Sequence, residues 1–174
     1  MSRFLTIAGA QLGPIAREET RSEVVARMTA LLQQAKNRGC DLVVFPELAL
    51  TTFFPRWWFD DDAGMDTFFE REMPSDATQP LFNKAKALGL GFYLGYAELV
   101  GERHYNTSIL VDGSGNIIGK YRKVHLPGHD DNRPDLAFQH LEKRYFDVGD
   151  IGFPVWRTMG GVLGMMICGP SPTA

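Results

Sequence analysis

Apolar and polar positions along the chain fall into alternating strand-like and helix-like stretches. Phe4-Leu5-Thr6-Ile7-Ala8-Gly9-Ala10 is a short apolar run closed by Gly13-Pro14, which predicts a buried strand. From Thr20 onward, Val24, Val25, Met28, Leu31, Leu32 and Ala35 recur every three or four positions until Gly39, the spacing of a helix with one buried face. Thr20 followed by Glu23 predicts an N-cap and a capping box at its start. Asp41-Leu42-Val43-Val44-Phe45 predicts a second strand, ended by Pro46. Strand, helix and strand in that order favour a βαβ unit with parallel neighbours.

The same logic carries through the rest of the chain. A second helix fits Gln79 to Leu88, stopped by Gly89, and leads into the strand Gly91 to Ala97. Tyr105 to Val111 and Ile117 to Lys123 flank Asp112-Gly113-Ser114-Gly115-Asn116, an antiparallel hairpin pattern. Pro154 to Thr158 and Val162 to Cys168 form another hairpin-like pair across Gly160-Gly161. Two stretches lack a period: an aromatic one between Leu48 and Met73, and a polar one from His125 to Asp150. A loop as long as the second is usually functional or disordered. The fold class expected is α/β.

Composition narrows the function classes. With 174 residues, 44% of them hydrophobic, one domain with a sizeable core is expected. A formal charge of -3, with basic and acidic residues interspersed, offers no footprint for nucleic acid. No apolar run approaches membrane-spanning length, and Met1-Ser2-Arg3 leads straight into a strand-like segment without the pattern of a signal peptide. A cytoplasmic protein with no membrane or nucleic-acid partner is expected. Cys40 and Cys168 are too few for a disulfide framework, and Cys40, in a helix-end context, is expected to pack as a small apolar residue. The four histidines form no helical pair with an acidic partner, so no metal site is expected.

Three reactive side chains fall at or just past the ends of strand-like runs: Glu47, Lys123 and Cys168. If those strands share a sheet, a carboxylate, an ammonium and a thiol can meet at its edge. They would supply a proton-transfer group, a cation for an oxyanion and a nucleophile, the parts of acyl transfer. Taken singly, each has an ordinary explanation, as a solvated loop acid, a surface lysine and a core cysteine.

The strings around these residues resemble the nitrilase (carbon-nitrogen hydrolase) superfamily. Asp41-Leu42-Val43-Val44-Phe45-Pro46-Glu47 is similar to its catalytic-glutamate block, Gly119-Lys120-Tyr121-Arg122-Lys123-Val124-His125-Leu126 to its catalytic-lysine block, and Met165-Met166-Ile167-Cys168 to the entry of its cysteine block. Leu48 to Trp57, Leu126-Pro127-Gly128-His129 and Phe138 to Phe146 most resemble N-carbamoyl-D-amino-acid amidohydrolases. The resemblance implies an α-β-β-α sandwich and cofactor-free hydrolysis of an N-carbamoyl-D-amino acid to the D-amino acid, ammonia and carbon dioxide. It implies Cys168 as nucleophile, Lys123 at the oxyanion and Glu47 as general base. Glu142 matches a second acidic residue that positions Lys123 or the substrate amine, while His125 and His140 match histidines near the site that act directly or support the loop. The partner implied is a small N-carbamoyl amino acid or amide, in a protein whose full-length relatives form homo-oligomers.

The resemblance runs from the first strand to Cys168, so residues 1–168 read as the N-terminal part of a carbon-nitrogen hydrolase domain and 169–174 as a non-family tail. Where the family continues with an aspartate and arginines, this chain has Gly169-Pro170-Ser171-Pro172. The expectation is therefore a truncated or frameshifted member, or a fragment, lacking the C-terminal half and weakly active or inactive alone. Two further readings are another amidase or a ureidopropionase of the same superfamily, and a non-catalytic remnant that serves as an interaction module.

Overall fold

A computed structural model describes residues 4–167 of the chain. Five strands form one mixed sheet in sequential order: β1 (Ile7–Gly9), β2 (Leu42–Val44), β3 (Gly91–Val100), β4 (Arg103–Val111) and β5 (Ile117–Arg122). The β1–β2 and β2–β3 pairs are parallel and are joined through α1 (Arg21–Asn37), and through α2 (Asp62–Asp66) and α3 (Gln79–Leu88); β3–β4 and β4–β5 are antiparallel hairpins. A separate two-stranded ribbon, β6 (Val155–Thr158) with β7 (Gly161–Gly164), follows the one-turn helix α4 (Glu142–Tyr145).

Local chemistry accounts for the element ends. The Thr20 side chain accepts from the Glu23 N–H while Glu23 accepts from the Thr20 N–H, so α1 opens on the expected capping box. Gly89, at φ 58°, ends α3 in the left-handed conformation that glycine adopts without a Cβ clash. Val24, Val25, Met28, Leu32 and Ala35 of α1 and Leu81, Phe82 and Ala85 of α3 bury one face of the sheet, against Val43, Phe92, Leu94, Tyr96, Ile109 and Val111. Cys40 packs at the rim of this core. A second cluster, Leu48, Phe54, Phe59, Phe68, Phe69, Tyr145 and Phe146, absorbs most of the aromatic stretch; Phe54 stacks on Phe68 with ring centres 4.9 Å apart.

Three expectations change. The first strand is shorter than the apolar run and forms the sheet edge, leaving Ile7 52% exposed rather than buried. The third strand runs on to Val100, because its hairpin with β4 turns at Gly101-Glu102 and gives every residue from Phe92 a register partner. The second arm of the last hairpin is shorter than the apolar run from Val162: β7 stops at Gly164 and lies over the sheet, with Leu163, Met165 and Ile167 turned toward Leu42, Leu110 and Tyr121 while Val162 remains exposed. Cys168 and the tail lie outside the described residues.

Candidate active site

The two-residue period of the strands divides the sheet into a helix-covered face and a second face, and the site lies on the second. Phe92, Leu94 and Tyr96 point into the helical core, so Tyr93, Gly95 and Ala97 face the other way. Their register partners share that face: Gly95 opposes Ser108, Ser108 opposes Tyr121, and Ala97 opposes Asn106. The Lys123 N–H donates to the Asn106 carbonyl at 2.8 Å, extending the ladder one step past β5 and setting Lys123 beside Asn106.

Glu47 reaches the same place from the end of β2. The N–H groups of Phe45 and Ala49 donate to the carbonyls of Tyr93 (3.0 Å) and Gly95 (2.8 Å), holding the segment against β3. Gly95 permits this approach, since a Cβ there would lie 2.8 Å from the Pro46 oxygen and 2.9 Å from the Glu47 Cα. Leu48 turns the chain away at φ 48°, a left-handed conformation that costs a non-glycine residue about 1–2 kcal/mol.

Around this point the side chains close on one another. Lys123 Nζ donates to Glu47 Oε1 at 2.7 Å and to Glu142 Oε2 at 2.8 Å; the Lys123 and Glu142 side chains are each 1% exposed, and that of Glu47 is 21% exposed. Asn106 Nδ2 donates to the same two oxygens, at 2.6 and 3.2 Å. The other oxygen of Glu142 lies 2.9 Å from His140 Nε2, whose ring meets the Phe53 ring edge-on at 5.6 Å. The Leu141 N–H donates to the Pro55 carbonyl at 2.7 Å, tying the start of α4 to the one-turn 3-10 helix Phe54–Arg56. Charged groups are held out of water here because each is paired.

Glu47 lines two clefts. One, about 430 Å³, is mostly apolar and includes Val44, Tyr93, Leu110, Met165 and Ile167. The other, about 300 Å³, includes Leu12, Thr51, Phe53 and Arg56. Burial pushes the Tyr93 phenol up from its ordinary value and the charge of Glu47 pushes it further, so it stays protonated and donates to the Met166 carbonyl at 3.2 Å. A third cleft, between Phe59 and Asp147, contains none of these acids. Among the described residues no group of three or more His, Cys, Asp or Glu is arranged to hold a metal ion, and no helix is long and apolar enough to cross a membrane.

The structure thus brings together Glu47, Lys123, Glu142 and His140 of the residues singled out from the sequence. It does not bring His125 there: that residue is exposed and its ring stacks on Phe153. His125 lies two residues beyond Lys123, in the bend after β5. Asn106 and Gly95 were missed. The available signal for Asn106 was a polar residue inside a strand run otherwise headed by Tyr105 and closed by Ile109-Leu110-Val111.

A lysine and a glutamate just past strand ends of an α/β sheet, with a second glutamate from the start of α4 on the lysine, set a proton acceptor and a cation side by side, as hydrolytic acyl transfer requires. Residues 6–172 match the carbon-nitrogen hydrolase family, and the chain belongs to that family. It is 30% identical to the N-carbamoylputrescine amidase of Solanum lycopersicum over 170 residues, which are 96% of this chain and 51% of that protein. It is 29% identical to a nitrilase of Pyrococcus abyssi, over 95% of this chain and 56% of the relative. The fold matches the crystal structure of a carbon-nitrogen hydrolase from Helicobacter pylori G27 with a TM-score of 0.74 at 24% identity, covering 94% of this chain and 52% of that one. The chain spans about half the length of the curated relatives it matches.

Proposed function

We propose that this chain carries the catalytic glutamate, lysine and cysteine of a hydrolase that cleaves a non-peptide carbon–nitrogen bond in a ureido or amide substrate, with N-carbamoyl-D-amino acids as the substrate class. The observation that carries this reading is the pair of glutamate oxygens on Lys123 Nζ, at 2.7 and 2.8 Å, in a site open to a cleft through Glu47. Cys168 is bonded to Ile167, which lines that cleft.

In this mechanism the Cys168 thiol gives its proton to Glu47 and its sulfur bonds to the carbamoyl carbon. The carbonyl oxygen takes up negative charge and is met by the Lys123 ammonium, which has one of its three N–H groups left after serving both glutamates. Glu47 returns the proton to the departing ammonia, leaving a thioester-like carbamoyl enzyme. Water then gives a proton to Glu47 and attacks the same carbon, the sulfur leaves as the thiol, and the released carbamic acid falls apart into amine and carbon dioxide. No cofactor takes part in these steps. Glu142 accepts from Lys123 Nζ at 2.8 Å and holds it in place.

A second reading, another ureido amidase of the family, is favoured by the relatives' names: N-carbamoylputrescine amidase, citrullinase and β-ureidopropionase. Ammonia release would be measured from N-carbamoyl-D-phenylalanine, its L-enantiomer, N-carbamoylputrescine, citrulline, β-ureidopropionate and simple amides, with the chain and its Cys168→Ala variant. Cysteine-dependent release from the D-ureido acid supports the first reading, and release from the others alone selects the second. No cysteine-dependent release from any of them refutes activity of the 174-residue chain by itself, the outcome expected of a truncated member.

A further inference from the structure

Outside the residues already given roles, Asn106 is the fully buried side chain most tightly engaged with the site. Its amide Nδ2 has two N–H groups, and both are committed: one to Glu47 Oε1 at 2.6 Å, the other to Glu142 Oε2 at 3.2 Å. These are the two oxygens that also receive Lys123 Nζ. Two donors and two acceptors therefore close a ring, Nζ to Oε1 to Nδ2 to Oε2, in which each carboxylate oxygen is held from two sides.

We propose that Asn106 is a positioning residue that pins Glu47 and Glu142 together on Lys123; the proposal rests on the reading of Glu47 and Lys123 as catalytic. A lysine alone does not fix two like-charged carboxylates relative to each other, because its ammonium turns freely on a four-carbon stem. Asn106 is short and its backbone is part of the ladder, with its carbonyl accepting from Lys123 N–H at 2.8 Å, so its amide is a rigid point of reference. The orientation of the amide follows from charge. Turned over, Oδ1 would face two carboxylate oxygens. As placed, Oδ1 is buried with no hydrogen-bond partner, an unmet acceptor that a leucine of similar size would not leave. The asparagine is thus retained at a cost to packing, which fits a requirement for its N–H groups.

A donor aimed at a carboxylate favours its charged form. Glu47 is faced by Lys123 from the end of β5, by Tyr93 from β3, by Glu142 with His140 behind it from the segment that opens α4, and by Arg56, which lines the same cleft. Removing Asn106 takes away a neutral donor while leaving all of these charges, so the base becomes harder to keep ionised as pH falls.

The test compares wild-type chain with Asn106→Leu and Asn106→Asp in pH-resolved hydrolysis kinetics on the best substrate of the panel, together with a crystal structure of each variant. The expected result is kcat lower by about 100-fold, the order reached when a reacting group is misplaced by about 1 Å, with KM little changed. The acidic limb of the profile should move up by about one pH unit in Asn106→Leu, and further in Asn106→Asp, where a third carboxylate joins the ring. The structures should have one glutamate turned off Nζ. Rates reduced by the same factor at every pH, with both glutamates still seated on Nζ, would overturn the proposal. If the wild-type chain hydrolyses nothing, activity of this chain by itself fails, and the crystal structures alone decide whether Asn106 pins the two acids. Should the leucine variant not fold, the near-isosteric aspartate variant decides both arms.

Discussion

Lys123→Met should destabilise the fold by an amount that depends on pH in a calculable way. The substitution keeps the length and apolar stem of the side chain but removes the ammonium that both Glu47 Oε1 and Glu142 Oε2 accept from. Glu47, at 21% exposure, can turn to water, whereas Glu142, at 1%, cannot. Breaking one side of a buried ion pair costs about 3–5 kcal/mol. Protonating the stranded glutamate limits the charge part of that loss: at pH 7, moving a proton onto a carboxyl that ordinarily titrates near ~4.3 costs about 3.7 kcal/mol, and at pH 5 about 1 kcal/mol. The sign follows from linkage. In the variant the acid of Glu142 gains a higher value in the folded than in the unfolded state, so its stability deficit is absent below the unfolded value and grows as pH rises. Urea unfolding at the two pH values would read it as a midpoint lowered by about 2 M at pH 7, for a slope of ~2 kcal/mol per M, and by much less at pH 5. Pairing the change with Glu142→Leu should recover more than half of the loss at pH 7, since apolar replacement of a whole buried pair is near neutral. A deficit that is equal at both pH values, or below about 1 kcal/mol at pH 7, would refute the claim that the ammonium neutralises a buried carboxylate here.

Gly95→Ala should lower kcat by about 100-fold, because its Cβ would meet the Pro46 oxygen at 2.8 Å and the Glu47 Cα at 2.9 Å and must push the base off Lys123; a crystal structure with Glu47 unmoved would contradict this. On the opposite face of the sheet, burial opposes ionisation of Glu98, but hydrogen bonds from Arg122, Lys120 and Thr107 outweigh it and hold its carboxyl below the usual carboxylate range. That stabilisation is present above the ordinary value and lost as pH falls through the lowered one, so Glu98→Gln should cost roughly 3 kcal/mol at neutral pH and progressively less below pH ~4 in urea melts. His140→Ala should reduce turnover through Glu142, its partner at 2.9 Å, while His125→Ala, which loses only a ring contact with Phe153, should leave turnover near wild type; equal effects of the two would argue against the placement of the site.

How far the fold could be read in advance depended on whether a segment's partners were local. The capping box at Thr20 and Glu23 and the glycine end of α3 are settled by groups a few residues apart, and both were evident from the sequence. The hairpin of β4 and β5 likewise announced itself by its Asp-Gly-Ser-Gly-Asn turn. The hairpin of β3 with β4 did not, because its turn at Gly101-Glu102 is short and the strand before it carries Glu98, a charge that looks like a strand end until Lys120 and Arg122 of β5 are set beside it. The apolar run before Cys168 misled for a related reason. Its hydrophobicity reflects Leu163, Met165 and Ile167 packing in a cluster with Leu42, Leu110 and Tyr121, and not a strand that continues past Gly164.

The site itself was half readable, and the unread half follows from strand geometry. Glu47 and Lys123 stand just past strand ends, where reactive side chains stand out, and Glu142 and His140 lie in a polar loop whose length already suggested a role. Asn106 sits in the middle of a strand next to Thr107, and in sequence the two look like one polar interruption. In the sheet they point to opposite faces: Asn106 to Glu47 and Glu142, Thr107 to Glu98. Each face of β4 thus holds its own buried carboxylate network, one around Lys123 and one around Arg122, which are themselves consecutive residues at the end of β5. A one-residue slip between β4 and β5 would exchange the two sets and leave acids facing the wrong cations, so the charge pairs specify the register as strongly as the apolar pattern does. The same pairing that makes the lysine available for chemistry therefore fixes where it stands.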